Sequence, residues 1–138
     1  MPNWKLLLIV APLVMAIDLV YLGVIMKGFY EAEIGQLARR EGGSLAPRWP
    51  AAILVYLLIP AGLVIFVRPA MGPQATLGQA FVWGALYGLV VYGVYDLTNR
   101  AILDHWPLRL TIADIAWGCV LCGIGGVITR LAEKWLSK

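Results

Sequence analysis

Hydrophobic residues fall in four long blocks, 6–26, 51–67, 77–95 and 110–129, separated by shorter polar stretches. A hydrocarbon core of ~30 Å takes about 20 largely apolar residues to cross as a helix. Blocks of 21, 17, 19 and 20 residues meet that length, the second narrowly. Polar and apolar positions do not alternate within them as they would in the strands of a membrane barrel. Each block therefore predicts a helix. With the third continued to Leu103, the spans are 6–26, 51–67, 77–103 and 110–129, in one domain over 1–138. The fold class is an all-α integral membrane protein, four transmembrane helices in one bundle.

The connections refine this. Trp4, Trp49, Trp106 and Trp135 stand near span ends, where amphipathic rings favour the headgroup layer. In the longest loop, 27–50, Tyr30, Ile34 and Leu37 recur at helical spacing. They predict a short interfacial helix ended by Gly42-Gly43. The link 68–76, with Pro69, Gly72 and Pro73, reads as a tight turn, and Pro107 as the start of the crossing into the fourth helix. Gly84 and Gly88, and the stripe Gly118, Cys122 and Gly126, are small-residue faces that let helix backbones approach.

Charge confirms the partition. Only 14% of the 138 residues are charged, against 61% hydrophobic, and all charges except Asp18 and Asp114 lie outside the four blocks. The net charge of +3 comes from membrane flanks rather than a basic cluster, which excludes nucleic acid as a partner. Lys and Arg divide five to six between the two sides of the bundle, leaving orientation to the compactly basic tail 130–138, which favours cytoplasmic termini. A cleaved signal peptide is disfavoured, because the first apolar run continues past Asp18 without a small-x-small cleavage site.

Helix direction gathers the polar residues. At 1.5 Å per residue, Asp18 lies about 12 Å, Asp96 about 10 Å and Asp114 about 6 Å below the surface that carries the first and third loops. Asn99 and Arg100 share a helix face with Asp96, and Tyr92 precedes it by one turn; Tyr21 accompanies Asp18, and Trp117 accompanies Asp114. Carboxylates inside a membrane are costly unless paired, hydrated or neutralised, so such residues are functional candidates, against the plainer reading of a network that fixes helix register. Arg100 is the expected counter-ion, to Asp96 in its own helix or to Asp18 or Asp114 across the bundle. The candidate ligand-binding set is Asp18, Tyr21, Tyr92, Asp96, Asn99, Arg100, Asp114 and Trp117.

The run Tyr95-Asp96-Leu97-Thr98-Asn99, then Trp106-Pro107-Leu108 and Asp114-Ile115-Ala116-Trp117-Gly118, resembles a family of small bacterial membrane proteins classified as a domain of unknown function. Asp18 with Tyr21-Leu22-Gly23, and Phe29-Tyr30 with Ile34-Gly35, match its pattern too. The resemblance implies four spans and the bacterial inner membrane, and no activity. Genes of that family often neighbour genes for fatty-acid modification, such as cyclopropanation, which favours lipids.

Other chemistries fare worse. Cys119 and Cys122 form a CxxC like the quinone-facing pair of a bacterial disulfide-oxidising membrane enzyme, but that chemistry needs a second cysteine pair, and the chain has two cysteines in all. Two small packing residues are the simpler reading. The single histidine, His105, cannot build a metal or haem site, and neither metal nor cofactor is expected. Small proton-coupled multidrug exporters share the length, the four spans and an acid in the first span, although theirs is a glutamate and they lack acids in spans three and four. The leading expectation is binding or modification of a lipid or other hydrophobic small molecule, with the exporter and a structural partner in a membrane complex as alternatives. Were there catalysis, Asp18 or Asp96 would be the acid/base and Arg100 would hold an anion. The expected partners are membrane lipids and that small molecule, with a homodimer allowed.

Overall fold

The structure, a computed structural model, describes residues 2–138. Helix α1 (Asn3–Val20) runs on through a π-helical turn, Tyr21–Ile25, as the first span. Helix α2 (Lys27–Ile34) follows at once, then a two-stranded hairpin, β1 (Arg40–Glu41) and β2 (Ser44–Leu45). The second span is α3 (Trp49–Gly62), a π-helical turn (Leu63–Val67) and α4 (Arg68–Met71). Helices α5 (Leu77–Ile102) and α6 (Leu108–Leu136) are the third and fourth. All four are long and apolar enough to cross a membrane.

Two expectations about the connections are corrected. The loop helix stops at Ile34 rather than at Gly42-Gly43, because Gly35 takes φ 55°, a conformation that ends a helix and suits glycine. Gly42 and Gly43 instead turn the hairpin, with φ 58° and 83°. The turn after the second span is shorter than 68–76: the helical backbone runs on from the π-helical turn through Arg68 and Pro69 and ends at Met71. Thr76 then starts α5 with a capping box, its Oγ1 accepting from the Gln79 N–H at 3.2 Å while Gln79 Oε1 accepts from the Thr76 N–H at 2.9 Å.

Helices α5 and α6 form the closest pair, and small residues make it possible. A Cβ on Gly84 would strike the Cys122 carbonyl, one on Gly88 the Gly118 carbonyl, and one on Gly126 the Ala80 carbonyl. Cys122 is thus wholly enclosed in helix packing, and both cysteines are free thiols. Helix α1 packs on α6 and α3, laying Leu6, Val10 and Val14 in one stripe against Leu63, Val64 and Leu121. This apolar core fills the half of the bundle nearer the termini. The second span meets α5 mainly through Leu63–Val67 and α4; nearer the first loop α3 and α5 stand apart, joined by the Tyr87 hydroxyl on the Ile59 carbonyl at 3.3 Å.

The terminal end is held by charges that looked like simple membrane flanks. Buried Arg130 donates from Nε to the Ala75 carbonyl at 3.0 Å and from Nη2 to the Pro73 carbonyl, and its Nη1 lies 3.3 Å from Glu133 Oε2. Glu133 also accepts from Arg68 Nε at 2.8 Å, and Arg68 Nη1 donates to Asn3 Oδ1 at 2.9 Å. One carboxylate thereby joins α6 to the end of the second span, and Arg68 carries the link on to the start of α1.

Candidate functional site

The other half of the bundle, towards the first and third loops, holds the polar residues. Asp18, on the last turn of α1, is 5% exposed and accepts two hydrogen bonds: from the Tyr56 hydroxyl at 2.9 Å and from Trp117 Nε1 at 2.8 Å. Three spans meet at this carboxyl. Tyr21 opens the π-helical turn and stacks on Trp117, ring centroids 3.6 Å apart and planes 8° from parallel. A π-helical turn widens a helix by one residue and often lies at a functional site. Here it sets Tyr21 against the fourth span.

Asp114 has a separate partner. Tyr30, from the loop helix α2, donates its hydroxyl to Asp114 Oδ1 at 2.8 Å, with the Tyr21 hydroxyl 3.5 Å away. Tyr30 packs with Trp106 and Leu110, so α2 covers the cluster from the loop side. Burial above all, then the bond with Tyr21 and the nearby Asp114 charge, pushes the Tyr30 phenol well above its ordinary range. It stays a neutral donor.

Asp96 is fully enclosed, and no donor group meets either of its carboxyl oxygens among the described residues. The Asp114 carboxyl on α6 is close enough to act on it electrostatically. Trp106, 7% exposed, likewise keeps its Nε1–H without an acceptor. Its expected place was the headgroup layer; α2 and the third-loop turn bury it instead.

Two adjoining cavities open on this cluster. One, of about 280 Å³, reaches from Asp18 and Asp114 past Tyr30 and Tyr56 to Trp106. The other, of about 410 Å³, lies where α3 and α5 stand apart, between Val55, Leu58 and Ile59 on one side and Val91, Tyr92 and Tyr95 on the other. Val55, Tyr92, Tyr95 and Asp114 line both. Val55 and Leu58 are 49% and 67% exposed on a face that lipid would cover, so the second cavity is a side opening from the bilayer to the carboxyls.

The expected residues thus divide. Asp18, Tyr92 and Asp114 line the cavities, Tyr21 and Trp117 brace Asp18, and Asp96 stands behind Asp114. Asn99 is half-buried, one turn beyond Tyr95 on α5. Arg100 is elsewhere: it is exposed and donates from Nη1 to the Trp106 carbonyl at 2.7 Å, capping the third-loop turn, and it pairs with none of the three acids. Its side chain takes the nearest free carbonyl at the helix end, which spares a guanidinium from burial. Tyr56, Tyr95 and Trp106 are additional lining residues. The sequence signal for Tyr56 is its place as the lone polar group in an apolar run; Pro60 four residues on removes the N–H that would have bonded the Tyr56 carbonyl, loosening that turn.

Removing the Tyr56 hydroxyl isolates one of these contacts. Tyr56→Phe is expected to cost about 1 kcal/mol, the scale of a hydrogen bond between helices in a membrane. Combined with Asp18→Asn the losses should be non-additive, since both changes touch one contact. Reversible unfolding in mixed micelles measures this, and strict additivity would show that Tyr56 and Asp18 do not interact.

Fold and site together define a four-span helical membrane protein with an acid-and-tyrosine cavity open to the side. The chain belongs to the family described as "Predicted membrane protein (DUF2177)", whose pattern matches residues 3–131. No curated protein and no solved structure matches it.

Proposed function

We propose that this protein, placed in a bacterial inner membrane, binds a lipid or another hydrophobic small molecule whose polar end reaches Asp18 and Asp114 while its apolar part lies between α3 and α5. The observation that carries this reading is the side opening itself. Two helices that could have closed on each other are held apart in one leaflet, and the gap leads from lipid-facing Val55 and Leu58 to carboxyls that hydrocarbon alone would not stabilise. Concave sites that are mostly apolar with a few convergent polar groups suit an amphiphile. Helical spans rather than barrel strands support the inner membrane over the outer.

Molecules retained after extraction in native polymer discs provide the test. Mass spectrometry is expected to find one hydrophobic species enriched about tenfold over its share of the whole membrane, equivalent to ~1.4 kcal/mol of preference. Val55→Trp, which fills the opening from a lipid-facing position, should abolish the enrichment while the bundle stays folded. Wild-type discs with bulk composition throughout would overturn the reading.

A second reading, proton-coupled export, draws support from Asp96, an enclosed carboxyl without a hydrogen-bond partner among the described residues, and from cavities that no basic residue lines. It predicts solute movement across proteoliposomes that follows a pH gradient, whereas a binding protein retains its ligand without one.

A further inference from the structure

Three places outside the apolar core hold polar groups that packing does not fully explain: the Arg68–Glu133–Arg130 cluster, the exposed hairpin, and the cavity between the acids. In the first, Arg130 and Glu133 use their polar atoms on one another, on Arg68 and on loop carbonyls. In the second, Arg39 and Arg40 bond to Glu41 and to nearby carbonyls. The cavity differs, because its electrostatics are one-sided. Asp18 and Asp114 line it, the enclosed Asp96 lies within electrostatic reach of Asp114, and no lysine or arginine lines either half among the described residues.

We infer that the molecule held there carries a cation: an ammonium group, primary or quaternary, on an apolar body. This rests on the binding reading above and names the ligand's chemistry. The bonds that Asp18 and Asp114 receive come from neutral donors, Tyr56, Trp117 and Tyr30, which leave any carboxylate charge uncancelled. Asp96 adds an enclosed carboxyl with no donor, which a hydrocarbon chain would leave unsatisfied. Four tyrosines and Trp106 ring the space between the acids and the side opening. Aromatic faces attract ammonium ions, most strongly where water is excluded. A phosphate or carboxylate head would face like charges at short range, with no base to receive it. The carboxyls do not converge as a ligand set for a metal ion, which leaves an organic cation as the fitting charge.

The ammonium could belong to a phospholipid head or to a free amine, and the probes separate these. The full chain in nanodiscs of an uncharged glycolipid, which carries no ammonium group, is titrated with four amphiphiles of one chain length: dodecyltrimethylammonium, dodecylamine, dodecylphosphocholine and dodecyl sulfate, with empty nanodiscs subtracted. Both simple cations are expected to bind with Kd at least about tenfold below that of dodecyl sulfate, whose head would meet the acids as a like charge. Dodecylphosphocholine matching the cations would identify a phospholipid head as the source, and its falling well behind them would identify a free amine; each supports a cation. Asp18→Asn and Asp114→Asn should each raise the Kd of the cations about tenfold, while Asp104→Asn, in the exposed third-loop turn, should leave it unchanged. Wild-type comparison among the probes does not depend on the variants folding. Binding without charge preference, or with dodecyl sulfate tightest, would overturn the cation while keeping a hydrophobic ligand. No binding by any probe above empty nanodiscs, unchanged by Val55→Trp, would overturn the binding reading as well.

Discussion

Gly84→Ala is expected to destabilise the bundle by about 3 kcal/mol, the upper range for forcing one methyl into a filled contact. The added Cβ would strike the Cys122 carbonyl and press on Gly123 Cα, both backbone atoms that cannot rotate aside. Helices α5 and α6 would have to separate along their length, losing the approach that Gly88 and Gly126 share. Gly93→Ala on the same helix is the control: nothing lies within 4 Å of its Cβ, and alanine's better helix propensity should leave stability equal or slightly higher. Reversible unfolding of both variants in mixed micelles measures the contrast. Equal behaviour would mean that the third and fourth spans do not meet at these glycines.

The second large effect belongs to Glu133. Glu133→Ala removes the carboxylate that Arg68 and Arg130 share and leaves Arg130 deep in the terminal end with loop carbonyls alone. Breaking a buried ion pair from one side costs roughly 3–5 kcal/mol, and Glu133, 17% exposed, should fall near the lower figure. Glu133→Gln keeps an acceptor oxygen for one arginine and should recover part of the loss. Because this cluster lies at the far end from the cavity, folded Glu133→Gln protein should retain ligand as the wild type does. Loss of ligand in folded Glu133→Gln protein would show that the two ends of the bundle are coupled.

The four spans were legible because burial in lipid leaves a one-dimensional record: twenty apolar residues suffice to mark a helix whatever it packs against. Their ends were less so. The second span continues through Arg68–Met71 although Arg68 and Pro69 resemble a terminus, because Arg68 finds Glu133 and Asn3 across the bundle. Order along each helix was legible too: rise per residue is fixed by helix geometry, and Asp18, Asp96 and Asp114 fall in the half of the bundle towards the first and third loops. Rotation and long-range partners could not be read this way. Arg100 is four residues from Asp96, yet its long side chain reaches the Trp106 carbonyl. Tyr56 is unremarkable in its own segment and matters because α1 presents Asp18 to it. Tyr30 suggested an interfacial helix by its spacing; its bond to Asp114, 84 residues away in sequence, depends on α2 folding back onto α6.

The most direct test of an occupied side opening is photocrosslinking with an amphiphile that carries a diazirine on its chain, followed by peptide mapping. Dodecylamine so labelled, activated in membranes holding the wild-type protein, should attach mainly to Val55, Leu58, Val91 and Tyr95, and an excess of unlabelled dodecylamine should compete it away. Label spread evenly over lipid-facing residues such as Leu8, Val24 and Val82, and indifferent to competitor, would contradict a binding site between α3 and α5.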